Sequence, residues 1–149
     1  MDALVQQQPV NLPDRLPVAC FVSAEADYQV PALVLVALVK KESDGQPVVS
    51  QNENGSFDVG VSQINSGGWL PHLQTSFGVT QQQLLSNNCL SIRSAAYVIY
   101  MEMRSKSCVG RNFWCGVGRY HSPGDPDRAR RYVEDVWSIV NRLSTTGKF

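Results

Sequence analysis

Pro31-Ala32-Leu33-Val34-Leu35-Val36-Ala37-Leu38-Val39-Lys40-Lys41-Glu42-Ser43, followed by Asn54-Gly55-Ser56-Phe57-Asp58-Val59-Gly60-Val61-Ser62-Gln63-Ile64-Asn65, is the stretch whose reading decides the fold. Positions 31–39 are apolar on every face, the pattern of a helix buried on all sides. Pro31 suits a first helical turn, where a missing N–H costs nothing. Glu42 then stands where this helix leaves the core. Burial disfavours a charged carboxylate, so Glu42 can stay protonated near neutrality and serve as a general acid. Asn54-Gly55 is the strongest short-range signal for a two-residue hairpin turn, with Val48-Val49 and Phe57-Asp58-Val59 as its arms. A helix-end Glu facing a hairpin Asp across a cleft suits cleavage of a glycosidic bond. The same two acids also read as ordinary surface residues, as most Glu and Asp are.

Outward from this stretch the chain reads as mostly helical. A first helix spans Leu16 to Tyr28, with Val18, Phe21, Val22 and Ala26 as its apolar stripe. Lys40 and Lys41 complement the dipole at the end of the buried helix. Ser43 is either a hydrogen-bonding anchor for Glu42 or its backbone, or a plain helix-end hydroxyl. Trp69 stacks on a sugar ring or packs against the protein. Thr80 caps a short helix over Gln81–Leu85. Asn87 or Asn88 caps the next, which runs to about Lys106 with a core stripe of Ile92, Ala95, Ala96, Ile99 and Met103. Gly110 breaks the pattern. Asp125 and Pro126 open the last helix as N-cap and first residue. Its apolar stripe is Ala129, Tyr132, Val133, Val136, Val140 and Leu143, and Arg128, Arg130 and Arg131 read as a solvated face. The 149 residues form a single domain, 1–149, with 1–15 and 145–149 expected to be flexible.

Thirteen Lys plus Arg balance thirteen Asp plus Glu. That argues against a nucleic-acid footprint and against capture of an anionic polymer by bulk charge. No apolar run is long enough for a membrane span. Met1 to Asp14 lacks the basic and apolar regions of a signal peptide, which fits a cytoplasmic protein or a mature exported sequence begun with an added Met. Four Cys without a Cys-x-x-Cys pair, and only two His, His72 and His121, argue against a zinc site, so no metal is expected. Three disulfide connectivities are open, beside four buried free thiols in a cytosolic protein.

Glu42-Ser43 with Gly60-Val61-Ser62-Gln63-Ile64-Asn65 resembles the Glu-Ser and Gly-Leu-Met-Gln-Ile-Asn motifs of the family 1 lytic transglycosylases, especially the small forms that accompany conjugation and specialised secretion systems. Phe113 to Ser122 resembles the family's Ala-x-Tyr-Asn-x-Gly motif, with Tyr120 on the tyrosine and His121 in place of the Asn. The run from Glu42 through Asp58 to Ser66 also resembles c-type lysozyme. The resemblance implies an α+β, mostly α, lysozyme-like fold with a small antiparallel β-hairpin beside the cleft. It implies Glu42 as catalytic acid, Asp58 as a second acid, and Ser43, Gln63, Asn65 and Tyr120 as substrate contacts, with the Tyr120 hydroxyl aimed at the acid. Ser62 stands where an apolar residue normally packs by the sugar, a departure from the pattern, and His121 reads as a plain substitution.

The same resemblance implies disulfides Cys20–Cys89 and Cys108–Cys115, and hence an oxidising, periplasmic compartment. The implied substrate is the peptidoglycan glycan strand, cut between N-acetylmuramic acid and N-acetylglucosamine to leave a 1,6-anhydro end without any cofactor. A secretion, conjugation or pilus assembly component is the implied partner. Two other readings stand beside it: a lysozyme-type hydrolase using Glu42 and Asp58, and a weakly active wall-binding assembly protein.

Overall fold

The computed structural model describes residues 10–149. Helix α1 (Val18–Tyr28) turns through Gln29, a left-handed C-cap, into α2 (Ala32–Ser43). Ala32 to Val39 are all buried, which makes α2 the central rod of the fold. No Ser, Thr or Asn caps its start; the Glu25 carboxylate of α1 accepts from the Ala32 N–H at 2.8 Å instead. A three-stranded antiparallel sheet follows, β1 (Val49–Gln51), β2 (Phe57–Val59) and β3 (Ile64–Asn65). Then come α3 (Leu70–Phe77), α4 (Gln81–Ser86), α5 (Asn88–Met103), a 3₁₀ turn at Lys106–Cys108, α6 (Phe113–His121) and α7 (Pro126–Thr146).

Around α2 pack α1, α5 and α7, and α6 lies between α5 and α7. The close approach of α5 and α6 needs a missing side chain: a Cβ on Gly116 would sit 2.7 Å from the Ile99 carbonyl oxygen. This seating carries Arg119 and Tyr120 to the same side as the end of α2. A smaller core of Val59, Ile64, Leu70, Leu73, Leu84 and Val98 lies under the sheet. The result is the α+β, mostly helical, lysozyme-like arrangement read from the sequence. Among the described residues no single helix is long and apolar enough to cross a membrane.

Local signals were followed closely at several ends. Thr80 forms a reciprocal capping box with Gln83, Asn87 caps α5, and Asp125 caps α7 ahead of Pro126. Four details differ from the sequence reading. The hairpin loop is longer than Asn54-Gly55: Asn52 and Ser56 close it, with Gly55 left-handed at φ 85°. That is a type I turn ending in a glycine bulge, which places Gly at the third loop position rather than the second. Helix α3 is an addition to the sequence reading, with Pro71 in its first turn and Gly78 at its C-cap as its start and stop signals. On α1 the buried face is Phe21 and Ala24, while Val18 and Val22 are exposed, because α1 lies against α5 and α2 along the Phe21 edge. The C-terminus is tied down. Helix α7 runs to Thr146, Asn11 bridges Lys148, and the Phe149 ring packs on the core beneath the Lys40 ammonium. Residues 1–9 of the segment expected to be flexible lie outside the described residues.

Both disulfides are formed, Cys20–Cys89 between α1 and α5 and Cys108–Cys115 between the 3₁₀ turn and α6. The first spans 69 residues of sequence. A loop of that length constrains the unfolded chain by about 4 kcal/mol in the chain-entropy treatment. Reduction should therefore lower the melting temperature by roughly 10–20 °C, read by calorimetry with and without reductant. A melting temperature unmoved by complete reduction would contradict this.

Candidate active site

The last turn of α2, the sheet and the end of α6 enclose a cleft of about 500 Å³ lined by Glu42, Asp58, Gln63, Asn65, Trp69 and Tyr120, among others. Glu42 reaches it because α2 ends there; one turn earlier every residue is buried. Its carboxyl Oε2 accepts the Tyr132 hydroxyl at 2.7 Å. Tyr132 comes from α7, is 3% exposed, and has the His121 ring stacked flat on it at 4.5 Å. Burial pushes the Glu42 pKa up from 4.5 to about 7. The Tyr132 hydrogen bond opposes this, the nearby Asp58 charge adds to it, and Lys41 opposes it weakly. The acid is thus partly protonated at neutrality, as a proton donor requires. Tyr132 itself stays a neutral phenol, its pKa driven up by burial and then by Glu42.

Asp58 is placed by strand pairing. In the register Asp58↔Asn65 and Val59↔Ile64 the two pairs take opposite faces of the sheet, Val59 and Ile64 buried and Asp58 and Asn65 on the cleft. The Asn65 amide donates to Asp58 Oδ1 at 2.9 Å and to Ser56 Oγ at 3.0 Å, and its oxygen accepts the Gly67 N–H at 2.8 Å. The loop between β2 and β3 forms the cleft floor and is fastened from several directions. Ser43 Oγ donates to the Val61 carbonyl at 2.7 Å, and the Tyr120 hydroxyl to the Ser62 carbonyl. Ser62 Oγ donates to the Ser91 carbonyl on α5 at 3.0 Å. The Gln63 side-chain amide donates to Gly60 at 2.9 Å and Val48 at 3.1 Å, with Gln63 itself left-handed at φ 57°. Gly60 is required at its place: φ is 81°, and a Cβ there would lie 2.8 Å from the Leu84 carbonyl oxygen.

The structure thus brings Glu42, Asp58, Gln63, Asn65 and Tyr120 to one cleft, while three sequence expectations change in detail. Ser43, expected as a substrate contact and as an anchor for Glu42, does not line the cleft, and its hydroxyl donates to the loop backbone at Val61. The hydroxyl on the acid is that of Tyr132, and Tyr120 holds Ser62 instead. Ser62 is fully buried beneath the floor, so the polar residue at that position pins the loop to α5 and does not meet a ligand. Sequence reasoning also missed a buried network in the opposite wall. Glu102 of α5, 8% exposed, pairs with Arg119 Nε at 2.8 Å and accepts the Trp69 indole N–H at 3.3 Å. The signals were available: a phenol in the aliphatic stripe of α7 and a carboxylate beside the stripe of α5 both need buried partners. His121, half-buried at the cleft edge, has its pKa pushed down by burial and then by Arg128 and Lys41, which favours the neutral ring.

The chain matches the family described as Transglycosylase SLT domain over residues 19–130. It is similar to Protein IpgF of Shigella flexneri, 29% identical over 135 residues that cover 87% of this chain and 84% of that protein. It is likewise similar to Invasion protein IagB of Salmonella typhimurium, 28% identical over 130 residues covering 83% and 76%.

Holding Glu42 in this site has a cost that depends on pH. Between 4.5 and about 7 the unfolded chain ionises the carboxyl while the folded protein keeps its proton, so stability is lost as pH rises through that window. The interval corresponds to at most about 3 kcal/mol. Urea unfolding of Glu42→Gln should show a gain over wild type that grows from pH 4 to pH 7.5. A gain, or a loss, that does not change with pH would show that burial does not raise this group's pKa.

Proposed function

The chain belongs to the Transglycosylase SLT domain family, and on that premise we propose that it is a lytic transglycosylase acting on the glycan strands of peptidoglycan. The observation that carries this is the Glu42 carboxyl, raised to about 7 at the head of a cleft and oriented by a buried phenol. Glu42 donates its proton to the glycosidic oxygen as the bond between muramyl C1 and that oxygen breaks. Positive charge then builds on C1. The muramyl 2-acetamido oxygen and the negative Asp58 on the facing strand stabilise it. Glu42, now a carboxylate, takes the proton of the muramyl 6-hydroxyl while that oxygen bonds to C1. The 1,6-anhydro ring closes, Glu42 is protonated again, and no water is consumed.

In this reading Tyr132 is a positioning residue for both states of Glu42. It donates to the carboxylate when the proton has gone to the leaving group, and its neutral hydroxyl keeps the acid pointed into the cleft. Gln63, Asn65 and Tyr120 hold the floor, and their remaining polar atoms and ring surfaces face the sugars. Asp58 in the same cleft is what favours the second reading, a hydrolase in which Asp58 serves as nucleophile and water completes the reaction. Action on peptidoglycan implies an exported, periplasmic protein, and the two disulfides support that compartment. Local opening of the wall for a secretion, conjugation or pilus assembly machine is the proposed purpose. The similarity to a protein named for invasion supports that purpose.

Release of soluble fragments from purified sacculi tests the proposal. Glu42→Gln should cut the rate by about 10²–10⁴-fold with the fold intact by circular dichroism. In the wild type the rate should fall as pH rises through about 7, because the acid must begin protonated. Asp58→Asn should slow lysis and move that alkaline limb to lower pH, since the Asp58 charge helps hold the Glu42 proton. Wild-type lysis rates in Glu42→Gln would sink the mechanism.

A further inference from the structure

Trp69 lines the cleft and is also the first ring of an aromatic strip that leaves it across α3 and α5. The His72 ring lies 5.3 Å from Trp69, edge to face. His72 is stacked parallel on Tyr97 at 5.9 Å, and Phe77 meets Tyr97 at 5.1 Å and His72 at 6.4 Å, both edge-on. Phe77 is 59% exposed at the end of α3, and His72 is exposed beside it. Farther along, the Tyr28 ring is covered by the Arg93 guanidinium, and the Tyr100 ring, 38% exposed, has the Arg104 guanidinium 6.0 Å from its centroid.

Resting on the lytic reading above, we propose that Trp69, His72, Tyr97 and Phe77 form a platform for the sugar rings of the same glycan strand beyond those held in the cleft. The chemistry matches on three counts. A β-1,4-linked pyranose presents apolar C–H groups on its faces and hydroxyls at its rim, so it lies against an aromatic ring with its hydroxyls outward. The chain has no net charge, so attraction must come from local contacts of this kind. The His72 Nε2 and Tyr97 hydroxyl, paired at 2.8 Å, set a polar rim beside the rings, where sugar hydroxyls exchange hydrogen bonds. Continuity decides the occupant. The strip begins on a cleft-lining residue, and a polymer threaded through the cleft must emerge over the surface.

The test is binding of purified glycan strands of graded length to Glu42→Gln protein, which holds the strand without cutting it, by titration calorimetry. Affinity should rise as strands lengthen past the cleft. Adding His72→Ala and Phe77→Ala should weaken long-strand binding about three- to tenfold, the size of an aromatic stacking contact, and leave the shortest fragments unchanged. Phe77→Ser alone should do part of this, and Trp137→Ala, at an exposed ring outside the cleft, should do neither. Equal affinity for long and short strands in the parent, or an equal loss for both in the double variant, would overturn the platform. Lysis of sacculi by the intact protein in that event would leave the lytic reading standing. No lysis at all would overturn both.

Discussion

A single carboxyl held between two opposing demands organises this molecule. Burial at the end of α2 drives Glu42 towards its neutral form, and the Tyr132 hydroxyl draws it back towards the charged one. The balance near neutrality is what an acid needs if it is to give up a proton and recover it within one turnover. It depends on the whole helical core. Residues Ala32 to Val39 carry no polar side chain and are buried throughout, so α2 cannot rotate or slide without exposing apolar surface. The position of Glu42 is thereby fixed by packing far from any substrate. The phenol that faces it arrives on α7 through the stripe of Tyr132, Val136, Val140 and Leu143, packed into the same core.

The facing wall is fixed by hydrogen bonds as well as by burial of Val59, Val61, Ser62 and Ile64. The loop from Gly60 to Ile64 is too short and too irregular to satisfy its own backbone. Its carbonyls are therefore taken up by Ser43, Tyr120 and the Gln63 side chain, and its one buried hydroxyl by α5. Three of these fasteners come from three different helices, α2, α6 and α5, and the Gln63 amide comes from the loop itself. The Gly-x-x-Gln-Ile-Asn pattern is thus a structural specification. Gly60 supplies a conformation and a clearance, Gln63 closes the turn, and Asn65 sets the Asp58 carboxylate. The opposite side relies on a partly buried ion pair, Glu102 with Arg119, whose carboxylate also accepts the Trp69 indole N–H. Removing Arg119 would leave the buried Glu102 carboxylate without its ion-pair partner.

Much of this was legible in sequence where local chemistry dictates the outcome. The all-apolar run before Glu42, the caps at Thr80, Asn87 and Asp125, and the alternation that puts Asp58 opposite Val59 all follow from short-range rules. Less was legible where a partner lies far off in the chain. Tyr132 stands 90 residues from Glu42, and its spacing in α7 is equally that of a core residue. Ser62 read as a departure from a sugar-packing position because nothing local reveals Ser91 beneath it. Helix α3 was missed because its eight residues are too few for a clear periodicity. The hairpin went from two residues to a longer loop because Asn52 and Ser56 hydrogen-bond around Gly55. Pairings across the fold, not propensities, account for these differences.

The central claim is that Glu42 serves as acid and then as base while the muramyl 6-hydroxyl, not water, completes the reaction. Mass spectrometry of fragments released from sacculi in ¹⁸O-labelled water addresses it directly. The account predicts 1,6-anhydro-muramyl ends carrying no label. Mainly reducing ends with ¹⁸O at C1 would contradict it and identify Asp58 and water as the completing pair.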